Sequence, residues 1–128
     1  MDSAVTVLLI EDEPLVAMFV RDALEDGGFV VLHLSEAQAA AKAISDGIET
    51  VAALVTDIRL GDELTGWDLA RLAREHRHEL PIVYISGDSA IDHCAQGVPE
   101  SVMIQKPFVA AQLITAIANL LNQAPVSS

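Results

Sequence analysis

A chain of 128 residues that is 52% hydrophobic is long enough for one domain and too apolar to stay disordered. Its 19 acidic residues against 7 basic ones give a formal charge of −12, which repels nucleic acid and anionic membrane; no run of Lys and Arg offsets it. Three Phe, one Trp and one Tyr leave the core to aliphatic side chains, and a single cysteine, Cys94, excludes an internal disulfide and fits a reducing cytoplasm. The apolar stretch from Ala4 to Ile10 is too short to span a membrane and lacks the basic flank of a signal peptide. The closing Pro125-Val126-Ser127-Ser128 carries no lipidation box. The expectation is a soluble cytoplasmic protein without a nucleic-acid or membrane partner.

Val5 to Ile10 is a short β-prone run, closed by Glu11-Asp12-Glu13-Pro14. Proline suits the first turn of a helix, so helix 1 is expected from about Pro14 to Asp26, stopping at Gly27-Gly28. Val16, Phe19, Val20, Ala23 and Leu24 make its apolar face, with Leu15 and Met18 off that face. Phe29 to Leu34 reads as strand 2. Ser35 with Gln38 matches a capping box that opens helix 2, which runs to Gly47. Residues 51–59 form an apolar run that delivers Asp57 and is followed at once by the turn-forming stretch from Gly61 to Gly66, the pattern of a buried strand 3.

Helix 3 begins near Gly66-Trp67, carries Leu69, Ala70, Leu72 and Ala73, and ends in the polar stretch from Glu75 to Glu79. Pro81 starts the next segment; Ile82 to Ile85 is strand 4, finishing at Ser86-Gly87-Asp88. A short helix 4, about Ser89 to Gln96, leads through Gly97-Val98-Pro99 to strand 5, Val102 to Gln105. Lys106-Pro107-Phe108 ends that strand, and helix 5 runs from about Val109 to Asn122 with Leu113, Ile114, Ile117, Ala118 and Leu121 inward. Five strands alternating with five helices define a doubly wound α/β domain over residues 1–128, with a core of about residues 5–122 and a polar tail.

The residues that terminate strands are Glu11-Asp12, Asp57, Ser86 and Lys106, and in a parallel sheet these ends share one edge. Taken singly, Asp57 is as well explained as a strand terminator or helix cap, Ser86 as a turn residue and Lys106 as a solvated end. Taken together they converge three carboxylates, a hydroxyl and an ammonium. Three carboxylates repel one another, and a hard divalent cation with oxygen ligands relieves them. Lys106 and Ser86 suit the oxygens of a phosphoryl group.

With these residues the chain resembles the receiver domains of two-component response regulators over about Val5 to Leu121. The resemblance implies a flavodoxin-like sheet of order 2-1-3-4-5. It implies that Asp57 accepts a phosphoryl group from a phosphohistidine on a sensor kinase or a histidine phosphotransfer protein. Asp12, Asp57 and the backbone carbonyl of Arg59 would ligate Mg²⁺ (or Mn²⁺), with Glu11 acting through water. Ser86 and Lys106 would bind phosphoryl oxygens, and the Lys106-Pro107 bond is expected to be cis. Later hydrolysis of the acyl phosphate makes such a domain a timed switch rather than a turnover enzyme.

The chain departs from the family pattern at Met103, where an aromatic residue usually stands three positions before the lysine. Tyr84 on the neighbouring strand is the other aromatic candidate for relaying the site's state. Gly61 occupies a position where the family favours proline. Arg59 and Asp88 stand where the family tunes dephosphorylation, and they are expected to pair across the mouth of the site. Leu15 and Met18 are candidates for docking the helical bundle that bears the donor histidine. Two competing functions are a phosphatase with an aspartyl-phosphate nucleophile and a scaffold that is never phosphorylated. Arg59 occupies the place of the phosphatase's second acid, and the intact acidic set disfavours the scaffold. A phosphate sink in a branched relay, and a monomer or weak phosphorylation-dependent dimer, complete the expectations.

Overall fold

The computed structural model describes residues 5–61, 63–87 and 96–123. Its five strands are β1 (Thr6–Ile10), β2 (Val30–Leu34), β3 (Ala53–Asp57), β4 (Ile82–Ser86) and β5 (Val102–Gln105), paired in parallel in the order β2-β1-β3-β4-β5. Between them run α1 (Pro14–Asp26), α2 (Ala37–Gly47), a 3-10 turn (Ile48–Thr50) and α3 (Gly66–His76), and after β5 comes α4 (Ala110–Gln123). The last is the fifth helix expected from the sequence. The expected helix over Ser89 to Gln96 lies outside the described residues except for Gln96, and Asp88 lies outside them too.

Successive strand side chains point to opposite faces, and both faces are covered. Leu8, Ile10, Leu54, Ile82 and Tyr84 meet Ala40, Ile44, Leu69 and Ala73 of α2 and α3. Val7, Leu9, Val55, Val83 and Ile85 meet Val20, Leu24, Leu113 and Ile117 of α1 and α4. These two aliphatic layers explain why the strands read as continuous apolar runs.

Three local readings are corrected. On α1 the inward stripe is Ala17, Val20, Ala23 and Leu24, whereas Phe19 stays 43% exposed. Phe19 lies at the edge of the stripe, where its ring meets that of Phe108 with centroids 5.5 Å apart. On α4 it is Leu120, not Leu121, that is buried with Leu113 and Ile117, while Leu121 packs at the margin. The capping box at Ser35 and Gln38 does not form. Glu36 holds the cap position in extended backbone without a side-chain bond, because the stripe that meets the sheet starts at Ala37. A capping box does open α3: Thr65 Oγ1 accepts from the Asp68 N–H at 3.3 Å, and Asp68 Oδ2 accepts from the Thr65 N–H at 2.9 Å.

The first residue of α3, Gly66, donates its N–H to the Ile58 carbonyl at 2.8 Å. A Cβ there would stand 2.1 Å from the Asp57 carbonyl oxygen and 2.9 Å from its carbon, both backbone atoms that cannot swing aside. Gly66→Ala is therefore expected to lower the unfolding free energy by about 1–3 kcal/mol, as overpacking does. Urea denaturation checks this, and an unchanged midpoint would refute the close approach.

Candidate functional site

The register brings the strand ends to one edge. Ile10 pairs with Thr56, Asp57 with Ile85, and Ser86 with Gln105, so each strand's terminal polar residue emerges at the same height. Asp12, Glu13, Asp57, Arg59, Ser86, Gly87 and Lys106 line a cleft of about 480 Å³ there. Glu11 sits beneath it, fully buried, and Asp57 and Ser86 are buried as well. Glu11, Asp12 and Asp57 each present a carboxylate oxygen within 4.8 Å of the others.

Lys106 faces this cluster. Its Nζ lies 3.3 Å from Asp57 Oδ2, 3.4 Å from Glu13 Oε1 and 3.6 Å from Glu11 Oε1. Its backbone N–H donates to the Ser86 carbonyl at 2.8 Å, which ties the lysine to the end of β4, and the Lys106-Pro107 bond is cis as expected. Burial pulls the ammonium's pKa down, but the charges of Asp57 and Glu11 outweigh it and leave the pKa raised. Asp57 is also held from behind, where Oδ1 accepts from the Ile58 N–H at 2.7 Å.

Glu11 is the strained member. Burial, with the neighbouring charge of Asp57 adding to it, pushes its carboxyl from an ordinary 4.5 to about 7, although the Glu13 N–H donates to Oε2 at 3.1 Å and Lys106 stands near. Oε1 is buried without a hydrogen-bond partner. A buried carboxylate oxygen with no donor, facing two further carboxylates across a polar cleft, fits a hard divalent cation. The residues present therefore suit Mg²⁺.

The fold gathers Glu11, Asp12, Asp57, Arg59, Ser86 and Lys106 at this edge, with Arg59 exposed on the rim. The expected pairing of Arg59 with Asp88 lies outside the described residues. Leu15 and Met18 are 79% and 59% exposed on α1, and Leu15 lines a groove together with Val16, Phe19, Lys106, Pro107 and Phe108. Met103 is half-buried beside Tyr84, its register partner, on the α2 and α3 side of the sheet. Tyr84 is fully buried, its ring 4.6 Å from that of Trp67, and its hydroxyl accepts from the Val98 N–H at 3.0 Å. Glu13 joins the site without having been expected there, although it is the third acid in the row after β1.

The profile of the response regulator receiver domain family matches residues 7–118, and the chain belongs to that family. A response regulator receiver protein from Sinorhizobium medicae WSM419 superposes with a TM-score of 0.91 at 42% identity, over 94% of this chain and 97% of that one. The response regulator receiver protein CpdR of Brucella abortus is 30% identical over 90% of this chain and 95% of its own length. The transcriptional regulatory protein CusR of Escherichia coli K12 is 27% identical, and the match spans 51% of its length. Among the described residues no helix is long and apolar enough to cross a membrane.

Because the raised Glu11 pKa belongs to the folded state, the protonated form is the one the metal-free fold favours. Its contribution to stability is full below an unfolded value near 4.5 and is lost as pH rises through about 7. In chelator, Glu11→Gln should melt higher than wild type above about pH 8, by roughly 1–3 kcal/mol, and equal it at about pH 4. Thermal unfolding at the two pH values checks this; equal melting at both would refute the strain on Glu11.

Proposed function

We propose that this chain is a phosphoacceptor switch that takes a phosphoryl group from a phosphohistidine onto Asp57. The observation that carries the proposal is the Lys106 ammonium set 3.3 Å from Asp57 within a carboxylate cluster that a divalent cation fits. An Asp57 carboxylate oxygen forms the bond to phosphorus while the P–N bond of the donor breaks and its electron pair returns to the imidazole. Such a transfer needs alignment and charge neutralisation more than covalent assistance. The Ile58 N–H fixes one Asp57 oxygen and Lys106 meets the other, so the carboxylate is aimed before the donor arrives. Lys106 and Ser86 then hold the transferred oxygens. Asp12, Asp57 and the Arg59 carbonyl, with Glu11 behind them, would hold Mg²⁺ or Mn²⁺, which when bound would supply further charge neutralisation. Hydrolysis of the acyl phosphate resets the switch.

The donor is a histidine kinase or histidine phosphotransfer protein, and the message passes on by protein contact. Met103, in place of an aromatic residue, favours a second reading in which the chain is a scaffold that binds partners unphosphorylated. Beryllofluoride with Mg²⁺ separates the two. The switch predicts shifted amide resonances in wild type that vanish in Asp57→Ala; unshifted wild-type spectra would favour the scaffold.

Leu15 and Met18 are proposed to dock the donor's helical bundle. The exposure of both supports this, and Leu15 lines the apolar groove that opens next to Lys106. Leu15→Asp should slow transfer from the cognate kinase about tenfold, the equivalent of ~1.4 kcal/mol, and leave phosphorylation by acetyl phosphate unchanged. Equal slowing of both reactions would place Leu15 in the chemistry rather than in docking.

A further inference from the structure

We propose that His33 is a positioning residue for the metal-binding acids, a role that rests on the reading of the site given above. His33 lies on β2, opposite Leu9, and its Nε2 is 2.9 Å from the backbone carbonyl of Glu11. A carbonyl only accepts, so Nε2 carries the hydrogen and donates it. The other side of Glu11 is also tied to β2, because its backbone N–H donates to the Leu34 carbonyl at 3.2 Å.

The position is built by where β2 stops. In the parallel ladder the Val30 N–H donates to the Val5 carbonyl, and each further rung advances both strands by two residues. The rung that would serve the Glu11 carbonyl needs the N–H of Glu36, but β2 ends at Leu34 and Glu36 has become the cap of α2. The imidazole of His33 takes the place of the missing rung. A part-buried carbonyl left without a donor costs free energy, and it would relax by turning the peptide plane that joins Glu11 to Asp12. That plane carries both acids. Glu11 is buried under Asp57, and Asp12 opens on the cleft, so a rotation there moves two of the three clustered carboxylates at once. His33 therefore acts on the metal site through the backbone, without touching the ion, as the residues behind metal ligands do.

The test uses the whole chain and Mg²⁺ alone, with binding measured by titration calorimetry and melting measured in chelator. Glutamine places its Nε2 where the imidazole has Nε2, whereas asparagine reproduces only Nδ1. His33→Ala and His33→Asn should weaken Mg²⁺ binding about tenfold, and His33→Gln should stay within about twofold of wild type. Wild-type affinity in the folded Ala and Asn variants would overturn the proposal. So would equal losses in all three variants, since a general loosening of the fold does not distinguish Gln from Asn. Asp12→Asn is the control for the site itself. If wild type binds no Mg²⁺, or Asp12→Asn binds as wild type does, the metal site falls and the role of His33 with it.

Discussion

Everything at the working edge of this fold follows from placing one ammonium against too many carboxylates. Lys106 meets Asp57, Glu13 and Glu11 within 3.3 to 3.6 Å, yet Glu11 keeps an oxygen without a hydrogen-bond donor and a pKa raised to about 7. In water such a cluster would spread apart. Here the acids are fixed at two neighbouring strand ends, Glu11 and Glu13 after β1 and Asp57 on β3, and the strands are held by two aliphatic layers that the acids cannot displace. The electrostatic cost is borne by the core. What remains uncompensated is negative charge at a defined place, a donor set that suits a small divalent cation.

The order of the strands makes this possible only when the whole sheet is formed. Glu11 comes from β1, Asp57 from β3, and Lys106 from the end of β5, where its backbone N–H is tied to Ser86 of β4. Neighbours in the cleft are distant in sequence, so a partly folded chain presents no site. Stability and function are therefore coupled at the sheet, not at any one helix. The close approach of Gly66 to the Asp57 carbonyl extends the coupling to α3, whose first turn rests on the backbone of Asp57 itself.

Much of this arrangement is legible in the order of the amino acids. The strands are short apolar runs, and each stops at a polar residue, so the residues that share an edge can be read along the chain. Phe19 shows the limit of periodicity: helical spacing puts it on the inner face, but a ring at the edge of a stripe can satisfy itself against Phe108 instead. The Ser35 and Gln38 pattern misleads because burial of Ala37 sets where α2 begins, and tertiary packing overrides a local cap. Thr65 with Asp68, a true capping box, is hard to see because its acid is Asp rather than the more usual Glu or Gln. His33 carries no signal at all. Its contact exists because the chain after β2 turns into α2 before it can supply a further rung to the Glu11 carbonyl, and that is a property of tertiary arrangement, not of local sequence.

The path outward from the site is set by how stiff its neighbours are. Tyr84, two residues before Ser86, is fully buried against Trp67 and engages the Val98 N–H. Moving it would strand a buried donor and a buried hydroxyl, at about 1–3 kcal/mol for such a group. Burial also raises the Tyr84 pKa, so ionisation offers no easier release. Met103, beside it on β5, has a flexible thioether that repacks at little cost. A ligand shifts a conformational equilibrium only by as much as it interacts differently with the two states. A modest change of shape at Ser86 and Lys106 is thus absorbed first at Met103, while Tyr84 keeps the turn at Val98 in place. Met103, softer than an aromatic residue in its place, leaves Tyr84 as the stiff neighbour of the strand-end site on this face of the sheet.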